Sequence, residues 1–396
     1  MVLPKLESRI MLEGPNGVGK SSIARMLSQR LEAEVYAPFS GRKDIYELWF
    51  KDPSAAMSLS IEILESLPNV GIFDRYHLTP QTMINHPLSF LKLISDRDLL
   101  VSLDADIETL RGRLSSKSEP EDVDSEGFYK PHYYRLADNW NAMYLQTDIM
   151  TVNEIVDVII NRYHEVISGK QHKIKEGRSK IVYRKSNNMI VELKPSLDSV
   201  TYHRSENVVG TEVLRNSICE KFIRALQNNS IDVIDYNRLT SNSYSCDYCY
   251  SLPFEVIVKK TAVGTTITDC PGLFYPNMPF KKPIVRFDYR CDPKDITIPR
   301  DYIINYGLDP EKLENTSSNA FNVLQDLLKN AGYELIDLCF VYGFTLDGCI
   351  KIISEISPDG MRIRKDGQSY DKDLFRNSYG DDCIISNWEK LLEDLS

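Results

Sequence analysis

The chain has 396 residues, more than one hydrophobic core usually supports, so we expect two domains. Hydrophobic residues make up 42% and charged residues 26%, which argues against bulk disorder and predicts a globular protein. The net charge of -10 argues against an extensive grip on a nucleic-acid backbone. A small anionic substrate needs only a few local cations and remains compatible with this charge.

The sequence indicates no signal peptide and no membrane span, because no run of roughly eighteen apolar residues occurs. We therefore expect a cytoplasmic protein, in the host cytoplasm if the source is viral. Eight scattered cysteines, all in the second half, are predicted to be reduced thiols. Cys246 and Cys249 lack a second Cys or His pair at zinc spacing, so we interpret them as a loop or core pair.

Strand-like apolar runs alternate with helical patterns in the first part of the chain. In chain order, strands are predicted at 9–12, 70–73 and 99–103, each followed by a helix, and a last helix at 152–167. Such alternation predicts a parallel sheet covered by helices on both faces, which is an α/β fold.

A polar, basic stretch bounded by two glycines follows and is predicted to be a connector. We place the first domain at 1–169, the linker at 170–177 and the second domain at 178–396. In the second domain, strands are predicted at 180–183, 189–193 and 254–258, and helices at 211–226 and 318–331. This mixture predicts an α+β fold.

A phosphate-binding loop lies between the first strand and its helix. The run from Gly14 to Ser21 matches G-x-x-x-x-G-K-[ST], so Lys20 would contact the β- and γ-phosphates and Ser21 would ligate Mg²⁺. The predicted ATP-binding residues are Gly14, Asn16, Gly17, Val18, Gly19, Lys20, Ser21 and Ser22. GTPases, ATPases and kinases all share this loop, so the loop alone does not identify the reaction.

Two segments resemble thymidylate kinases and the related deoxynucleoside kinases: residues 13–22 and Phe73-Asp74-Arg75-Tyr76. The resemblance implies that Arg75 contacts the acceptor phosphate and that Asp74, with Ser21, organises magnesium. It also implies that Tyr76 and Gln81 lie near the acceptor. Two departures leave the acceptor base open: Asn16 stands where the family often has Asp, and 36–38 reads Tyr-Ala-Pro where the family has R-E-P.

A third segment, 103–114, is similar to the strand and helix that lead into the lid of that family. Arg111 and Arg113 are predicted to join Lys20, Asp74 and Arg75 as catalytic residues by neutralising charge in the transition state. A spacing of two places them about 200° apart on an ideal helix, so both reach phosphate only if the helix ends or bends there. Residues 115–124 are predicted to form the mobile lid.

The second half resembles SAICAR synthetase, a ligase that uses ATP to join aspartate to a carboxylated imidazole nucleotide. The similar segments are 176–183, 253–265, 357–362 and 371–376. The resemblance implies an α+β, ATP-grasp-like domain. The candidate residues for its nucleotide site are Arg178, Lys180, Lys259, Glu355, Asp359 and Arg362.

Several positions depart from the SAICAR synthetase pattern. Cys339 and Val341 replace the Lys and Glu of a D-F-K-L-E-F-G run, and Ser354 replaces the Asp of a D-E pair. The family uses these lost acidic groups for magnesium, so we do not expect ordinary SAICAR synthesis. Three interpretations remain: a degenerate nucleotide-binding or oligomer-building module, a ligase with an altered substrate, and an intact purine enzyme.

The sequence therefore predicts an ATP- and Mg²⁺-dependent nucleoside monophosphate kinase carrying a SAICAR synthetase-like domain. One alternative is a bifunctional enzyme whose second half is an ATP-dependent amide ligase, and another is a nucleotide-sensing assembly protein. The expected partners are ATP and a nucleoside monophosphate, with no nucleic acid and no membrane. Members of both families are often dimers or larger, which implies a homo-oligomer. A phage or viral source that makes modified DNA precursors from a dUMP derivative would fit both halves.

Overall fold

A computed structural model of the chain describes residues 5–116, 123–199, 202–291 and 294–395, with the side chains of 123–126 left out. The fold divides into two compact units: unit 1 comprises 1–174 with 184–187, and unit 2 comprises 175–183 with 188–396. No helix among the described residues is long and apolar enough to cross a membrane.

Unit 1 is built from five strands and eight helices in its described part. In chain order they are β1 (Arg9–Glu13), α1 (Lys20–Leu31), β2 (Val35–Tyr36), α2 (Lys43–Lys51), α3 (Pro53–Glu65), β3 (Gly71–Asp74), α4 (Leu78–Gln81), α5 (Pro87–Leu91), β4 (Leu99–Asp104), α6 (Ile107–Ser115), α7 (Val123–Asn139), β5 (Met143–Gln146) and α8 (Val152–Ile167).

The strands of unit 1 form one parallel sheet in the order β2-β3-β1-β4-β5. Side chains of β1 alternate between two cores: Ile10 and Leu12 pack in one cluster with α1 and α8, and Met11 packs in the other with α2 and α3. The sheet is therefore covered on both faces, as predicted. The three predicted strands, the helix that follows each of them and the last helix are all present, and α8 has the predicted bounds.

Unit 2 and the segment that leads into it contain more strands than helices. The first elements are β6 (His172–Glu176), β7 (Lys180–Lys185), β8 (Asn188–Leu193), β9 (Ser196–Ser199), β10 (Arg204–Asn207), α9 (Thr211–Asn228), β11 (Asn237–Arg238), β12 (Ser243–Asp247), β13 (Cys249–Thr261) and α10 (Thr265–Asp269). They are followed by β14 (Pro279–Tyr289), β15 (Ile296–Ile298), α11 (Arg300–Asn305), α12 (Pro310–Asn330), β16 (Glu334–Thr345), β17 (Ile350–Ile352), β18 (Met361–Lys365), β19 (Gln368–Ser369), α13 (Asp373–Arg376) and α14 (Asp381–Asp394).

Two larger sheets organise this part of the chain. One has the order β11-β12-β8-β7-β6, and the other has the order β15-β14-β13-β16-β18-β19 with β17 paired to β16. The pairs of the second sheet are antiparallel, and the long helix α12 packs against β13 and β16. The predicted α+β character is confirmed.

The predicted linker at 170–177 is not a plain connector. Residues 172–176 form β6, which pairs with β7 at the edge of the five-stranded sheet. The polar composition that suggested a loop is the composition of an exposed edge strand, since Lys173, Lys175 and Glu176 face solvent. Cys246 and Cys249 lie buried as free thiols in β12 and at the start of β13.

Candidate functional site

A cavity of about 920 Å³ opens at the carboxyl ends of β1 and β3 in unit 1. Its lining combines the phosphate loop, the first turns of α1, and the segment after β2. The lining residues are Asn16, Gly17, Gly19, Lys20, Ser21, Ser22, Ala24, Arg25, Ser28, Val35, Ala37, Phe39, Ser40, Gly41, Tyr46, Asp74, Arg75 and Arg113. A cavity of this size accommodates a nucleotide.

The phosphate loop is held tightly against strand β4. Gly14 has φ 133°, and a Cβ atom there would lie 2.1 Å from the carbonyl oxygen of Leu103, so only glycine fits. The Lys20 amine lies over the loop and donates to the carbonyls of Gly14 and Pro15 at 2.9 and 2.7 Å. Of the predicted ATP-binding residues, Gly14 and Val18 do not line the cavity, and the Val18 side chain is buried in the core.

Ser21, in the first turn of α1, and Asp74, at the end of β3, bring two hard oxygen donors together. The Ser21 hydroxyl donates to Asp74 Oδ2 at 2.5 Å. Hydroxyl and carboxylate oxygens beside a phosphate site fit Mg²⁺, which in such sites completes its shell with water and phosphate oxygens. These two residues are therefore the ones that would hold the ion in unit 1.

Arg75 follows directly after β3 and has a left-handed backbone, with φ 75°. Its guanidinium donates to the Asn16 side-chain oxygen and to the Tyr133 hydroxyl, the latter at 2.7 Å. Non-glycine residues in this conformation are uncommon, and strain of this kind concentrates at functional sites. The contact with Asn16 places the Arg75 charge beside the phosphate loop.

The two predicted lid arginines lie on different sides of α6, because the helix runs unbroken through both. Arg113 donates to the Gly17 carbonyl at 3.2 Å and to Thr147, and it lines the cavity. Arg111 instead pairs with Glu108 at 2.9 Å on the exposed face and does not line the cavity. The expectation that both reach phosphate is not met here. Most of the predicted lid, 117–122, lies outside the described residues.

Tyr76 and Gln81, predicted near the acceptor, are buried away from the cavity. The Tyr76 ring packs on Phe73, its hydroxyl donates to the Leu93 carbonyl, and burial raises the pKa of this phenol to about 12. Gln81 accepts a hydrogen bond from the Trp140 indole at 3.0 Å and is 2% exposed. The motif fixed their positions along the chain but not the directions of their side chains.

Sequence reasoning missed several residues around the cavity, among them Phe39, Ser40 and Tyr46, which line it, and Tyr133 on α7, which contacts Arg75. Phe39 and Ser40 directly follow the 36–38 segment, which departs from the kinase pattern. That departure was the one feature of the sequence that could have pointed to them as site residues. Tyr46 and Tyr133 lie on α2 and α7, helices for which no motif was recognised.

Three basic side chains of unit 2, one each from β13, β14 and β18, lie near the loop at residues 262–266. The buried Lys259 amine donates to the Val263 carbonyl and the Thr266 hydroxyl at 3.2 and 3.1 Å, and Arg286 donates to the Thr265 hydroxyl at 2.8 Å. Arg362 pairs with Asp337 at 2.6 Å and lies against Gly264. Burial lowers the pKa of Lys259 to about 8.

The structure thus brings two of the six predicted unit 2 residues, Lys259 and Arg362, to one loop. Glu355 is instead held in a buried, bidentate ion pair with Arg215 at 2.7 and 2.8 Å. Asp359 pairs with Lys372 at 2.8 Å. Arg178 pairs with Asp198 on the surface, and Lys180 is the first residue of β7.

The position where SAICAR synthetases are expected to hold magnesium has changed chemically. Val341 and Ser354 face each other, with the Val341 backbone N–H donating to the Ser354 hydroxyl at 3.2 Å. Beside them the Cys339 thiol donates to Glu255 at 2.8 Å. No cluster of three or more His, Cys, Asp or Glu side chains suited to a metal occurs among the described residues. These residues do not fit Mg²⁺ at this position.

Comparison with known proteins places the second half in a family. The SAICAR synthetase family model matches residues 173–394. A phosphoribosylaminoimidazole-succinocarboxamide synthase from Halalkalibacterium halodurans is 28% identical over 232 residues, which are 56% of this chain and 96% of that protein. The solved structure of a SAICAR synthetase in complex with ADP has a TM-score of 0.53 at 23% identity, covering 57% of this chain and 97% of that one.

A different protein matches the first half. The structure of deoxyadenosine kinase from M. mycoides with bound dCTP is 18% identical and covers 40% of this chain and 99% of that chain, with a TM-score of 0.31. At that score the likeness carries no weight for fold or substrate. The parallel sheet and phosphate loop of unit 1 are consistent with a P-loop kinase-like fold.

Proposed function

We propose a function from one premise: this chain belongs to the SAICAR synthetase family. The proposal is a bifunctional, ATP-using enzyme of nucleotide metabolism. Unit 1 is a nucleoside monophosphate kinase of the thymidylate kinase type, and unit 2 is an ATP-dependent amide ligase with an altered substrate.

The kinase proposal is carried by one observation: Ser21, Asp74 and Arg75 line the same cavity as the phosphate loop. Phosphoryl transfer requires positioning and neutralisation of charge more than covalent chemistry. The loop and Lys20 would bind the phosphates of ATP, and Arg75 would bind the acceptor phosphate. Mg²⁺ held by Ser21 and Asp74 supplies charge neutralisation between the two nucleotides.

Arg113 has the position of a transition-state cation. It is anchored by Thr147 and Gly17 on the loop side of α6, so its guanidinium needs little reorganisation to meet the transferred phosphoryl group. Tyr46 and Phe39 contribute aromatic side chains to the lining of the cavity, and an acceptor base would pack against them. dTMP and a modified dUMP are both candidate acceptors.

The ligase proposal is supported by family membership and by the cations of unit 2. Relatives named phosphoribosylaminoimidazole-succinocarboxamide synthase match over nearly their whole length. Lys259, Arg286 and Arg362 are the cations that would bind a phosphate group in unit 2. Because no residues for Mg²⁺ are found at the expected position, we assign no step to that ion in unit 2. The altered position is the reason to propose an altered substrate.

A second candidate for unit 2 is a nucleotide-binding module without chemistry. The contact between Val341 and Ser354 favours it, because two carboxylates expected for metal are replaced by a methyl-bearing side chain and a hydroxyl. Such a module would still bind a phosphorylated ligand through Lys259 and Arg362.

The kinase is tested by measuring ADP release from ATP and Mg²⁺ against a panel of ribo- and deoxynucleoside monophosphates. Acceptor-dependent turnover should be lost in Lys20→Ala and retained in Lys51→Ala, a matched control whose exposed amine pairs with Glu47. Slow ATP turnover that no monophosphate stimulates would instead favour a nucleotide sensor. A modified dUMP that fails to exceed dTMP in kcat/KM would count against a modified acceptor.

The ligase is tested in the Lys20→Ala background, where the kinase is silent. ADP release that depends on both an amino acid and a carboxylated imidazole nucleotide would support a ligase. Binding of the imidazole nucleotide by calorimetry without any amino-acid-dependent ADP release would favour the binding module.

A further inference from the structure

The acceptor-side arginine of unit 1 is held by a chain of hydroxyl groups that no motif indicated. Tyr133 lies on α7 and is 4% exposed, and burial raises the pKa of its phenol, so it keeps its proton. Its oxygen accepts from Arg75 Nη1 at 2.7 Å and lies 3.0 Å from the Thr79 hydroxyl. Thr79 in turn donates to Glu13 Oε2 at 2.7 Å.

Glu13 sets the direction of this chain of hydrogen bonds. Its buried carboxylate also accepts the backbone N–H groups of Tyr76 and Leu78, both at 2.8 Å. Because the Thr79 proton points to Glu13, the Thr79 oxygen is left to accept the proton of Tyr133. The lone pairs of the Tyr133 oxygen are then free to receive Arg75.

The other acceptors of Arg75 are all neutral: the Asn16 side-chain oxygen and, at 3.4 Å each, the Gly14 carbonyl and the Thr79 hydroxyl. Asn16 contacts Arg75 through a neutral amide oxygen, and neutral acceptors hold an arginine less strongly than ionised ones. The guanidinium therefore keeps its full charge for an incoming phosphate dianion, but it needs another group to fix its direction. The Tyr133 hydroxyl is in position to do this, because it lies 2.7 Å from Arg75 Nη1, whereas the Thr79 hydroxyl lies 3.4 Å from the same nitrogen.

Building on the kinase function proposed above, we propose that Tyr133 is a positioning residue for the acceptor phosphate. It orients Arg75 through the Glu13–Thr79–Tyr133 hydrogen-bond chain, and it ties the acceptor site to α7, the helix that follows residues 117–122. It acts through Arg75 and does not itself touch the reacting atoms. Removing the Tyr133 hydroxyl should weaken binding of the acceptor nucleoside monophosphate and leave ATP binding unchanged.

Tyr133→Phe tests this by removing only the hydroxyl, and Tyr134→Phe is a matched control. The neighbouring Tyr134 is 61% exposed and packs edge-on against Tyr144. We expect Tyr133→Phe to lower kcat/KM for the acceptor by about tenfold or more, chiefly through KM, with KM for ATP unchanged. Tyr134→Phe should match the wild type within about twofold.

A double-mutant cycle separates positioning from a general structural effect. In an Arg75→Lys background, Tyr133→Phe should change kcat/KM by no more than about threefold, because the group it orients has gone. An equal loss in both backgrounds, or parallel losses for ATP and acceptor, would overturn the proposal. An active wild type with a fully active Tyr133→Phe variant would also overturn it, whereas a wild type without acceptor-dependent turnover would refute the kinase function itself.

Discussion

At the scale of single residues, His77 is the clearest case of a charge suppressed by the fold. Its ring is fully buried, it packs against the Trp140 ring, and neither ring nitrogen has a hydrogen-bond partner within the described chain. Burial lowers the pKa of His77 to about 3. The imidazole is therefore neutral at every pH at which the enzyme would work.

This suppressed charge predicts a pH-dependent stability. Below pH of about 6.5 the unfolded chain binds a proton that folded His77 cannot bind until pH approaches 3, so the contribution of His77 to the free energy of unfolding should fall by about 1.4 kcal/mol per pH unit over that range. Denaturant unfolding of wild type and His77→Phe at several pH values measures this slope. The unfolding free energy of wild type minus that of His77→Phe should fall by about 1.4 kcal/mol per pH unit as the pH is lowered from about 6.5 toward 3, and a constant difference would contradict the prediction.

At the scale of helices and strands, the continuous helix α6 determines which of its two arginines, Arg111 or Arg113, lines the cavity. A continuous helix separates Arg111 and Arg113 by about 200°, so only one of them faces the phosphate loop. Arg113→Ala should lower kcat by about a hundredfold, since loss of one preorganised donor to a developing charge costs that much in other enzymes. Arg111→Ala should stay within about twofold of wild type in the same assay of acceptor-dependent ADP release. Equal losses would mean that α6 rearranges on binding nucleotide.

Sequence motifs correctly predicted those parts of the fold whose geometry depends only on residues close together in the chain. The strand, glycine turn and helix around Lys20 form a contiguous unit whose backbone geometry is fixed by residues 10–27, and the structure contains it. The side-chain directions of Tyr76 and Gln81 could not be predicted, because they depend on packing against Phe73 and Trp140, and Trp140 lies 59 residues from Gln81 in sequence. Strand β6 was missed because its partner β7, not its own composition, makes it a strand.

At the scale of the whole molecule, the two units are chemically distinct in one simple respect. All eight cysteines are free and belong to unit 2, where Cys349 is exposed and Cys219, Cys246 and Cys249 are buried. Burial raises the pKa of the Cys246 and Cys219 thiols, which makes them poor nucleophiles in the folded protein.

This distribution predicts the outcome of thiol labelling. N-ethylmaleimide should modify Cys349 first in the native protein and reach the three buried thiols only when unit 2 unfolds. Acceptor-dependent ADP release should survive labelling, because unit 1 has no thiol and its cavity is lined entirely by residues 16–113. Peptide mapping by mass spectrometry, run beside the activity assay, measures both. Loss of kinase turnover on labelling Cys349 alone would show that the units communicate.

The left-handed backbone of Arg75 implies a trade-off between the thermal stability of unit 1 and its activity. A non-glycine residue held at φ 75° costs about 1–2 kcal/mol relative to glycine, so the fold gives up stability in order to present this guanidinium. Arg75→Gly should therefore resist heat better than Arg75→Ala, although both lose the acceptor-binding cation. In related proteins that are no longer selected for kinase activity, we would expect glycine to replace arginine at this position and the thermal stability of unit 1 to rise.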